Sequence, residues 1–199
     1  MCQFVETIRI ADGQIFRLNL HQQRLERTLA HFAPHIKVPR IELLLNDIPH
    51  QGLYKTRICY DTQGHTEVAY HPYNIRTIKS LQLVADNNID YSYKFENRSC
   101  LANLQNRRGN CDEILIVRNG LITDTSYTNI AFNDGSEWYT PSTPLLAGIM
   151  RQYLLECGCL KERDIRPEDL SNFSEAAMFN AMIDLGTITI PCSHISSLV

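Results

Sequence analysis

The chain has 199 residues, enough for one substantial domain or for two small ones that share a core. Hydrophobic residues make up 44% of it and charged residues 21%, which is ordinary for a globular protein. The formal charge of −3 gives no basic footprint for nucleic acid or for an anionic membrane, so we predict neither partner.

The sequence also bears on compartment and on metal binding. No run of about 18 apolar residues occurs, so we expect no transmembrane helix. Residues 1–13 lack the basic stretch and apolar core of a signal peptide, and we predict a cytoplasmic protein. The seven cysteines are scattered, and only Cys157 and Cys159 lie close together, whereas a zinc site needs four convergent ligands. We therefore predict reduced thiols and no metal.

The first 75 residues predict a small α+β domain. Asp12-Gly13 separates two strand-like segments and is a strong hairpin signal. Asn19, with Gln22 three residues later, is typical of the start of a helix, and an apolar stripe follows it at helical spacing. The predicted elements are strands at 4–10, 14–18, 53–60 and 65–72, a helix at 20–32 and a short helix from 39.

Residues 76–199 predict a larger, β-rich domain. Asn119-Gly120 and Asp134-Gly135 mark turns between short apolar strands, so the region resembles a meander. Gly158 suits the end of the helix that begins near residue 149. The predicted elements are strands at 79–86, 113–118, 121–125, 129–132 and 137–140, the helix from 149, and a buried apolar segment at 174–191.

Lys94 is the strongest candidate for chemistry. The common nucleotide, hydrolase and metalloprotease motifs are absent from the sequence. Lys94 lies between Tyr93 and Phe95, and an amine packed among aromatic rings is desolvated, which lowers its pKa and frees its lone pair to attack a carbonyl. The alternative is a surface lysine whose stem covers a ring.

Three further features have both a functional and a structural interpretation. Asp124, on a polar strand, suits a protonated ring nitrogen or an ordinary strand end. The apolar loop at 145–148 leads into a helix whose first N–H groups can bind phosphate, or it is a plain junction. Arg24, beside the apolar stripe of the first helix, can give a forked pair of bonds to phosphate or point to solvent.

In their order along the chain, these features resemble the class IV aminotransferase family, the fold type IV enzymes that use pyridoxal 5′-phosphate (PLP). Members include branched-chain and D-amino-acid aminotransferases and 4-amino-4-deoxychorismate lyase. The similar segments are FVETIR at 4–9, LHQQRL at 20–25, Lys94 followed by Asn97-Arg98, CDEIL at 111–115, 122–132, Thr140-Pro141, LAGI at 146–149 and FNAM at 179–182.

The resemblance implies an α+β chain of fold type IV, with a shortened N-terminal α/β sandwich and a larger β-rich pseudo-barrel that carries helices. It implies a homodimer and a Schiff base between Lys94 and PLP. Asp124 would face the pyridine nitrogen where the family usually has glutamate, so its backbone would sit closer or a water would bridge. The other implied cofactor contacts are Arg24 and the N–H groups of Ile149 and Met150 on the phosphate, with Asn180 or Ala181 added, Leu146 on the ring and Tyr127 lining the pocket.

The reaction stays open between two branches of the family. GIMRQ at 148–152 and Asn180-Ala181 are more similar to the lyase branch, so we expect a 4-amino-4-deoxychorismate lyase. An aminotransferase for branched-chain or D-amino acids is the alternative, and a non-catalytic protein on this fold is the third possibility. The candidates for binding the substrate carboxylates are Thr7, Arg9, Arg98 and Arg107, which the sequence does not rank.

Overall fold

The computed structural model describes residues 3–197. The chain forms two compact units. The first contains the residues up to Ile75 together with Tyr93–Asn97, and the second contains Arg76–Ser92 and the residues from Arg98 onward. The division into domains at 1–75 and 76–199 stays a prediction, to which the structure adds the return of a five-residue segment to the first unit.

The first unit is an antiparallel sheet in the order β2-β1-β3-β4, with α1 packed on β1. Leu25 and Leu29 of α1 pack with Phe4, Ile8 and Ile58, and all five are fully or almost fully buried. The elements are β1 (Gln3–Ala11), β2 (Gln14–Ile15), α1 (Leu18–Phe32), α2 (Ile41–Leu44), β3 (Leu53–Asp61) and β4 (Thr66–Pro72).

Two local predictions at the start of this unit, a hairpin turn and a helix N-cap, can be compared with the backbone. Asp12 and Gly13 have φ of 48° and 81°, which confirms the hairpin turn. The predicted N-cap at Asn19 is wrong. Helix α1 begins two residues before the predicted start, at Leu18, and its N-cap is Arg17, in the left-handed region with φ 54° and without a side-chain cap.

The segment 93–97 is held against β1 by backbone pairing. Val5 N–H donates to the Lys94 carbonyl at 2.9 Å, and Glu96 N–H donates to the Gln3 carbonyl at 3.0 Å. Phe95 forms an antiparallel bridge with Phe4. Lys94 is therefore fixed to β1. This pairing joins residues about 90 positions apart, so no local pattern in the sequence predicts it.

The second unit contains two sheets. One has the order β10-β9-β8-β11-β12, and the other has the order β13-β5-β6-β7. The elements are β5 (Leu81–Ala85), α3 (Ser99–Gln105), β6 (Glu113–Arg118), β7 (Leu121–Thr125), β8 (Asn129–Asn133), β9 (Trp138–Pro141), α4 (Ile149–Glu156), β10 (Lys161–Arg163), β11 (Glu175–Asn180), β12 (Ile183–Pro191) and β13 (Ile195–Ser196), with 3-10 helices at Pro167–Asn172 and Cys192–His194.

The predicted meander is divided between the two sheets. Its four strands exist, but β6 and β7 belong to one sheet, and β8 and β9 belong to the other. The chain changes sheet at residues 126–128, directly after Asp124-Thr125 and before Asn129. Within residues 3–197, no helix combines the length and the apolar character that crossing a membrane requires.

Candidate active site

In the first unit, a buried carboxylate holds two basic side chains. Glu6 lies on the core face of β1 between Phe4 and Ile8, and His21 and Arg24 are three residues apart on the buried face of α1. Arg24 Nε donates to Glu6 Oε1 at 2.8 Å, and Arg24 Nη2 donates to Oε2 at 2.6 Å. His21 Nδ1 lies 2.6 Å from the same Oε2. Because an ionised carboxylate only accepts, we assign the proton to Nδ1.

The pKa values of this cluster follow from burial and from the charge of Arg24. Burial by itself would raise the pKa of Glu6, but the Arg24 charge and the bonds from His21 and Arg24 outweigh it and lower the pKa to about 2. Burial lowers the pKa of His21, against the opposing pull of Glu6. Glu6 is thus ionised and His21 neutral, so Glu6 and Arg24 form a compensated pair.

Lys94 is half-buried beside this cluster. Its charge is close enough to His21 to contribute to the lowered pKa of that imidazole. The rings of Tyr93 and Phe95 pack against the core, where Phe95 lies 5.4 Å from Phe4 between ring centroids. The two rings therefore anchor the segment that carries Lys94, a role different from the desolvation of the amine that their positions in the sequence indicate.

In the second unit, Asp124 is held by neutral donors. Asn129 Nδ2 donates to Asp124 Oδ1 at 2.8 Å, and the Leu146 N–H donates to Oδ2 at 2.9 Å. Asp124 is the penultimate residue of β7 and Asn129 begins β8, so the change of sheet at 126–128 brings the two side chains together. Asp124 is 5% exposed.

Burial raises the pKa of Asp124 to about 6. The Leu146 N–H, the Asn129 amide, the Arg151 charge and the Leu145 N–H offset only part of this effect. A carboxylate whose pKa is close to neutral pH, and whose hydrogen-bond partners carry no charge, is suited to a cationic donor. A protonated ring nitrogen has that chemistry.

The loop before α4 passes close to this carboxylate. A Cβ at Gly148 would lie 1.9 Å from Asn129 Oδ1, so only glycine fits there. Gly148 precedes α4 and gives it no side-chain cap, and the first N–H groups of the helix have no partner within the helix. The side chains of Ile149 and Met150 are buried, which leaves their N–H groups as the atoms that could bind phosphate.

The remaining predicted cofactor contacts also lie in the second unit. Asn180 Nδ2 donates to the Tyr127 carbonyl at 3.2 Å, and Asn180 Oδ1 accepts from the Met182 N–H at 2.8 Å. Leu146, Tyr127 and Ala181 are each half-buried. The turn after β11 is therefore tied to the turn after β7, and both turns carry predicted cofactor contacts.

The four candidates for binding substrate carboxylates are divided between the units, with Thr7 and Arg9 in the first and Arg98 and Arg107 in the second. Arg98 Nη2 donates to the Ser126 carbonyl at 2.6 Å, beside Asp124 in sequence, whereas Arg107 Nη1 donates to the Ala85 carbonyl at 3.0 Å. Arg9 stacks over Phe16, and Thr7 is half-buried on β1. Sequence reasoning missed Arg76, whose guanidinium lies 5.4 Å from the Tyr127 ring centroid.

Sequence reasoning also did not single out three buried polar residues that are hydrogen-bonded to, or share a partner with, the candidates Arg24 and Asp124. Glu6 and His21 lie inside the segments FVETIR and LHQQRL, and Asn129 lies within 122–132, so the family resemblance already covered them. A charged or polar residue flanked by core positions of an amphipathic element was the available signal, because such a residue needs a buried partner.

Comparison with known proteins shows the family. A family model described as amino-transferase class IV matches residues 3–190. An uncharacterised protein of Haemophilus influenzae is 39% identical over 186 residues, covering 92% of this chain and 98% of that protein. A Schizosaccharomyces pombe protein named "putative aminodeoxychorismate lyase" is 26% identical over 85% of this chain and 82% of its own length.

Solved structures agree with this result. The crystal structure of a "putative 4-amino-4-deoxychorismate lyase" from Haemophilus somnus matches with a TM-score of 0.86 at 34% identity, covering 93% of this chain and 98% of that one. A "putative amino-acid aminotransferase" from Mesorhizobium loti matches over 100% of both chains with a TM-score of 0.82 at 22% identity. The second likeness is one of fold.

The chain belongs to the class IV aminotransferase family. The predicted resemblance and the fold type IV, α+β architecture are confirmed, and the chain is a PLP-dependent enzyme. This replaces the alternative of a non-catalytic protein on the same fold. The residues present fit the cofactor, since a lysine amine suits its aldehyde, a buried arginine suits its phosphate, and a buried carboxylate with neutral donors suits its protonated nitrogen.

Proposed function

We propose that this enzyme is a 4-amino-4-deoxychorismate lyase that forms 4-aminobenzoate and pyruvate. The observation that carries the proposal is the likeness, over 93% of this chain at 34% identity, to the Haemophilus somnus protein whose name states that activity. The Schizosaccharomyces pombe relative, whose name states the same activity, adds support. The segment GIMRQ at 148–152, similar to the lyase branch, is the supporting feature within the chain itself.

Lys94 and Arg24 are the residues of the first unit that we assign to the cofactor. Lys94 would hold the aldehyde carbon of PLP, and Arg24 would bind the phosphate through charge-assisted hydrogen bonds. Glu6 pairs with the Nε and Nη2 edge of Arg24 and so fixes the plane of its guanidinium. This pairing means that a phosphate would meet a guanidinium that is already oriented.

Asp124, Ile149 and Met150 are the corresponding residues of the second unit. Asp124 would accept the hydrogen bond of the protonated pyridine nitrogen, and the N–H groups of Ile149 and Met150 would bind phosphate oxygens. Asn180 or Ala181 would add to the phosphate contacts, Leu146 would pack on the ring, and Tyr127 would line the pocket. PLP, when bound, supplies an electron sink for a bond broken at the amine-bearing carbon.

Lys94 would also move the proton in the reaction. Its Nζ, when not bonded to the cofactor, would take the proton from the amine-bearing carbon of the substrate as a general base. In a lyase the substrate then loses pyruvate and becomes aromatic, which is irreversible and releases 4-aminobenzoate. In an aminotransferase Lys94 would return the proton within the same site and a keto acid would leave. The destination of this proton therefore separates the two reactions.

A product assay tests the proposal. The purified enzyme with PLP is given aminodeoxychorismate in one reaction, and a panel of branched-chain and D-amino acids with a keto-acid acceptor in another. We expect 4-aminobenzoate and pyruvate in equal amounts from the first reaction. Keto acid from the second reaction, with no 4-aminobenzoate from the first, would establish the aminotransferase instead.

Lys94→Ala tests the assignment of the central residue. We expect turnover to fall by at least about 10³-fold, because both the cofactor linkage and the proton carrier are lost. Lys79→Ala is the matched control, since the Lys79 side chain is exposed and lies on the other unit. Reduction with borohydride followed by peptide mapping should place the cofactor label on Lys94. A label on another lysine would contradict the assignment.

We also propose a cytoplasmic homodimer, as the family resemblance implies. Analytical ultracentrifugation of the PLP-loaded enzyme at the concentration of the assay tests the second part. A dimer is expected, and a fully active monomer would contradict it.

A further inference from the structure

A closed ring of hydrogen bonds in the second unit joins Asp124 to the loop before α4. Asn129 Nδ2 donates one hydrogen to Asp124 Oδ1 at 2.8 Å and the other to the Leu146 carbonyl at 2.9 Å. The Leu146 N–H completes the ring by donating to Asp124 Oδ2 at 2.9 Å. One carboxamide thus holds the carboxylate on one side and the loop backbone on the other.

The oxygen of the same carboxamide is packed against Gly148. An added Cβ at this position would lie 1.9 Å from Asn129 Oδ1 and 3.1 Å from its Cγ. The backbone of Gly148 is ordinary, with φ of −72°, so glycine is required here for space and not for conformation. Asn129 therefore contacts both residues that bound the loop at 146–148, and α4 begins at the next residue.

We infer that Asn129 is a positioning residue that sets the spacing between Asp124 and the N-terminus of α4, and thereby between the pyridine end and the phosphate end of the bound cofactor. The inference rests on the roles proposed above for Asp124, Ile149 and Met150. Asn129 itself is buried, 5% exposed, and acts through these groups rather than on the substrate.

The aspartate at position 124 explains why such a residue is needed. An aspartate has a single methylene between its Cα and its carboxylate, so the reach of Asp124 depends on where the backbone and the neighbouring donors place it. Asn129 is a neutral donor, and it fixes the carboxylate without supplying the positive charge that the ring nitrogen would bring. The carboxylate is thereby oriented and still suited to a cationic donor.

The first test compares Asn129→Ala with Asp124→Asn and with a control, Asn133→Ala. Asn133 lies on the same strand, and its side chain accepts a hydrogen bond from the Gly135 N–H at 2.7 Å, so the control also removes a bond made by an asparagine of β8. The dissociation constant of PLP is measured by absorbance titration of each apoenzyme. We expect Asn129→Ala and Asp124→Asn to weaken binding by about 10-fold or more, as loss of an outer-shell partner does, and Asn133→Ala to stay within about 2-fold of wild type.

The outcomes separate the positioning role inferred for Asn129 from the cofactor role proposed for Asp124. If Asn129→Ala binds PLP like the control while Asp124→Asn is weakened, the positioning role of Asn129 is wrong and the role of Asp124 stands. If Asp124→Asn binds PLP like wild type, the proposed role of Asp124 is wrong, and the inference fails with it.

The second test uses Gly148→Ala, which keeps Asn129 and displaces it. In the wild-type background this change should weaken PLP binding about as much as Asn129→Ala does. In the Asn129→Ala background it should add less than about 2-fold, because the atoms that it would strike are gone. If the two changes weaken PLP binding independently, so that their effects multiply in the double variant, the inference is overturned.

A spectroscopic readout separates positioning from simple loss of stability. The visible absorbance of the bound cofactor titrates with an apparent pKa that depends on the partner of its ring nitrogen. We expect that apparent pKa to shift in Asn129→Ala and Gly148→Ala and to stay unchanged in Asn133→Ala. Unchanged titration in the first two variants, with only a lower melting temperature, would show a structural role and contradict the inference.

Discussion

Two buried carboxylates, one in each unit, are placed in opposite electrostatic settings. Glu6 is fully buried and pairs with the guanidinium of Arg24, and its pKa is lowered to about 2. Asp124 is 5% exposed and accepts from the Asn129 amide and the Leu146 N–H, and its pKa is raised to about 6. Burial opposes ionisation at both positions, so the charge of the partner decides the outcome.

We propose that the contrast distinguishes a carboxylate whose charge is compensated within the chain, Glu6, from one that is available to the cofactor, Asp124. The cation that compensates Glu6 is the guanidinium of Arg24, which belongs to the same unit, so the pair is complete as soon as the first unit folds. For Asp124 the matching cation would be the protonated ring nitrogen of PLP, which arrives with the cofactor. We therefore expect Asp124 to cost stability in the apoprotein and to recover that cost in the PLP-loaded enzyme.

Glu6→Gln should have the largest effect on stability. It removes the negative charge that compensates a buried guanidinium, and breaking such a pair costs about 3–5 kcal/mol. Urea unfolding of the apoprotein at pH 7 measures this loss, with Glu67→Gln, an exposed glutamate in the same sheet, as control. Equal unfolding free energies for the two variants would show that the pair contributes nothing.

The Glu6 effect should also depend on pH in a defined direction. Since the folded pKa is lowered from 4.5 to about 2, the contribution is present above pH 4.5 and is lost as the pH falls toward 2. The difference between wild type and Glu6→Gln should shrink across that window. A difference that is constant from pH 7 to pH 2 would contradict the ionised pair.

Asp124→Asn should change the pH dependence with the opposite sign. Because the folded pKa is raised from 3.8 to about 6, the folded apoprotein binds more protons between those values, and its unfolding free energy falls as the pH rises through them. This term amounts to about 3 kcal/mol, since each pKa unit is worth about 1.4 kcal/mol. It should be absent from the variant, as measured by unfolding of both apoproteins from pH 4 to 8. Parallel curves of unfolding free energy against pH for wild type and Asp124→Asn would contradict a raised pKa of Asp124.

Glu96→Gln should have the smallest effect. Glu96 pairs with Arg57 only two residues from Lys94, but both side chains are about one-third exposed, at 31% and 35%. Solvent screens such a pair, so we expect a loss below about 1 kcal/mol by urea unfolding and little change in PLP affinity. A loss as large as that of Glu6→Gln would show that exposure does not separate the two kinds of pair.

Local patterns in the sequence predicted the elements well and their assembly poorly. The Asp12-Gly13 turn and the helix from Ile149 follow from dihedral preferences and apolar spacing, which act over a few residues. The short helix α3 was missed because seven residues hold too little periodicity. The pairing of Lys94 with Val5, and the change of sheet between β7 and β8, depend on contacts far apart in sequence.

The candidate site shows the same limit. Lys94, Arg24 and Asp124 could be selected because their family motifs are ordered along the chain, although each was weak alone. The partners could not be assigned, because which donor meets Asp124 depends on how residues 126–128 and 145–148 fold. The same holds for Glu6, whose pairing with α1 requires the packing of the first unit.

The direct test of the contrast between the two carboxylates is a carbon-13 NMR titration of the side-chain carboxylates. Protein labelled at aspartate is titrated with and without PLP, and Asp124→Asn identifies the resonance of Asp124. We predict that Asp124 titrates near pH 6 in the apoprotein and stays ionised to lower pH when PLP is bound. A midpoint near the ordinary value of 3.8 in the apoprotein, or one that PLP leaves unchanged, would contradict the account.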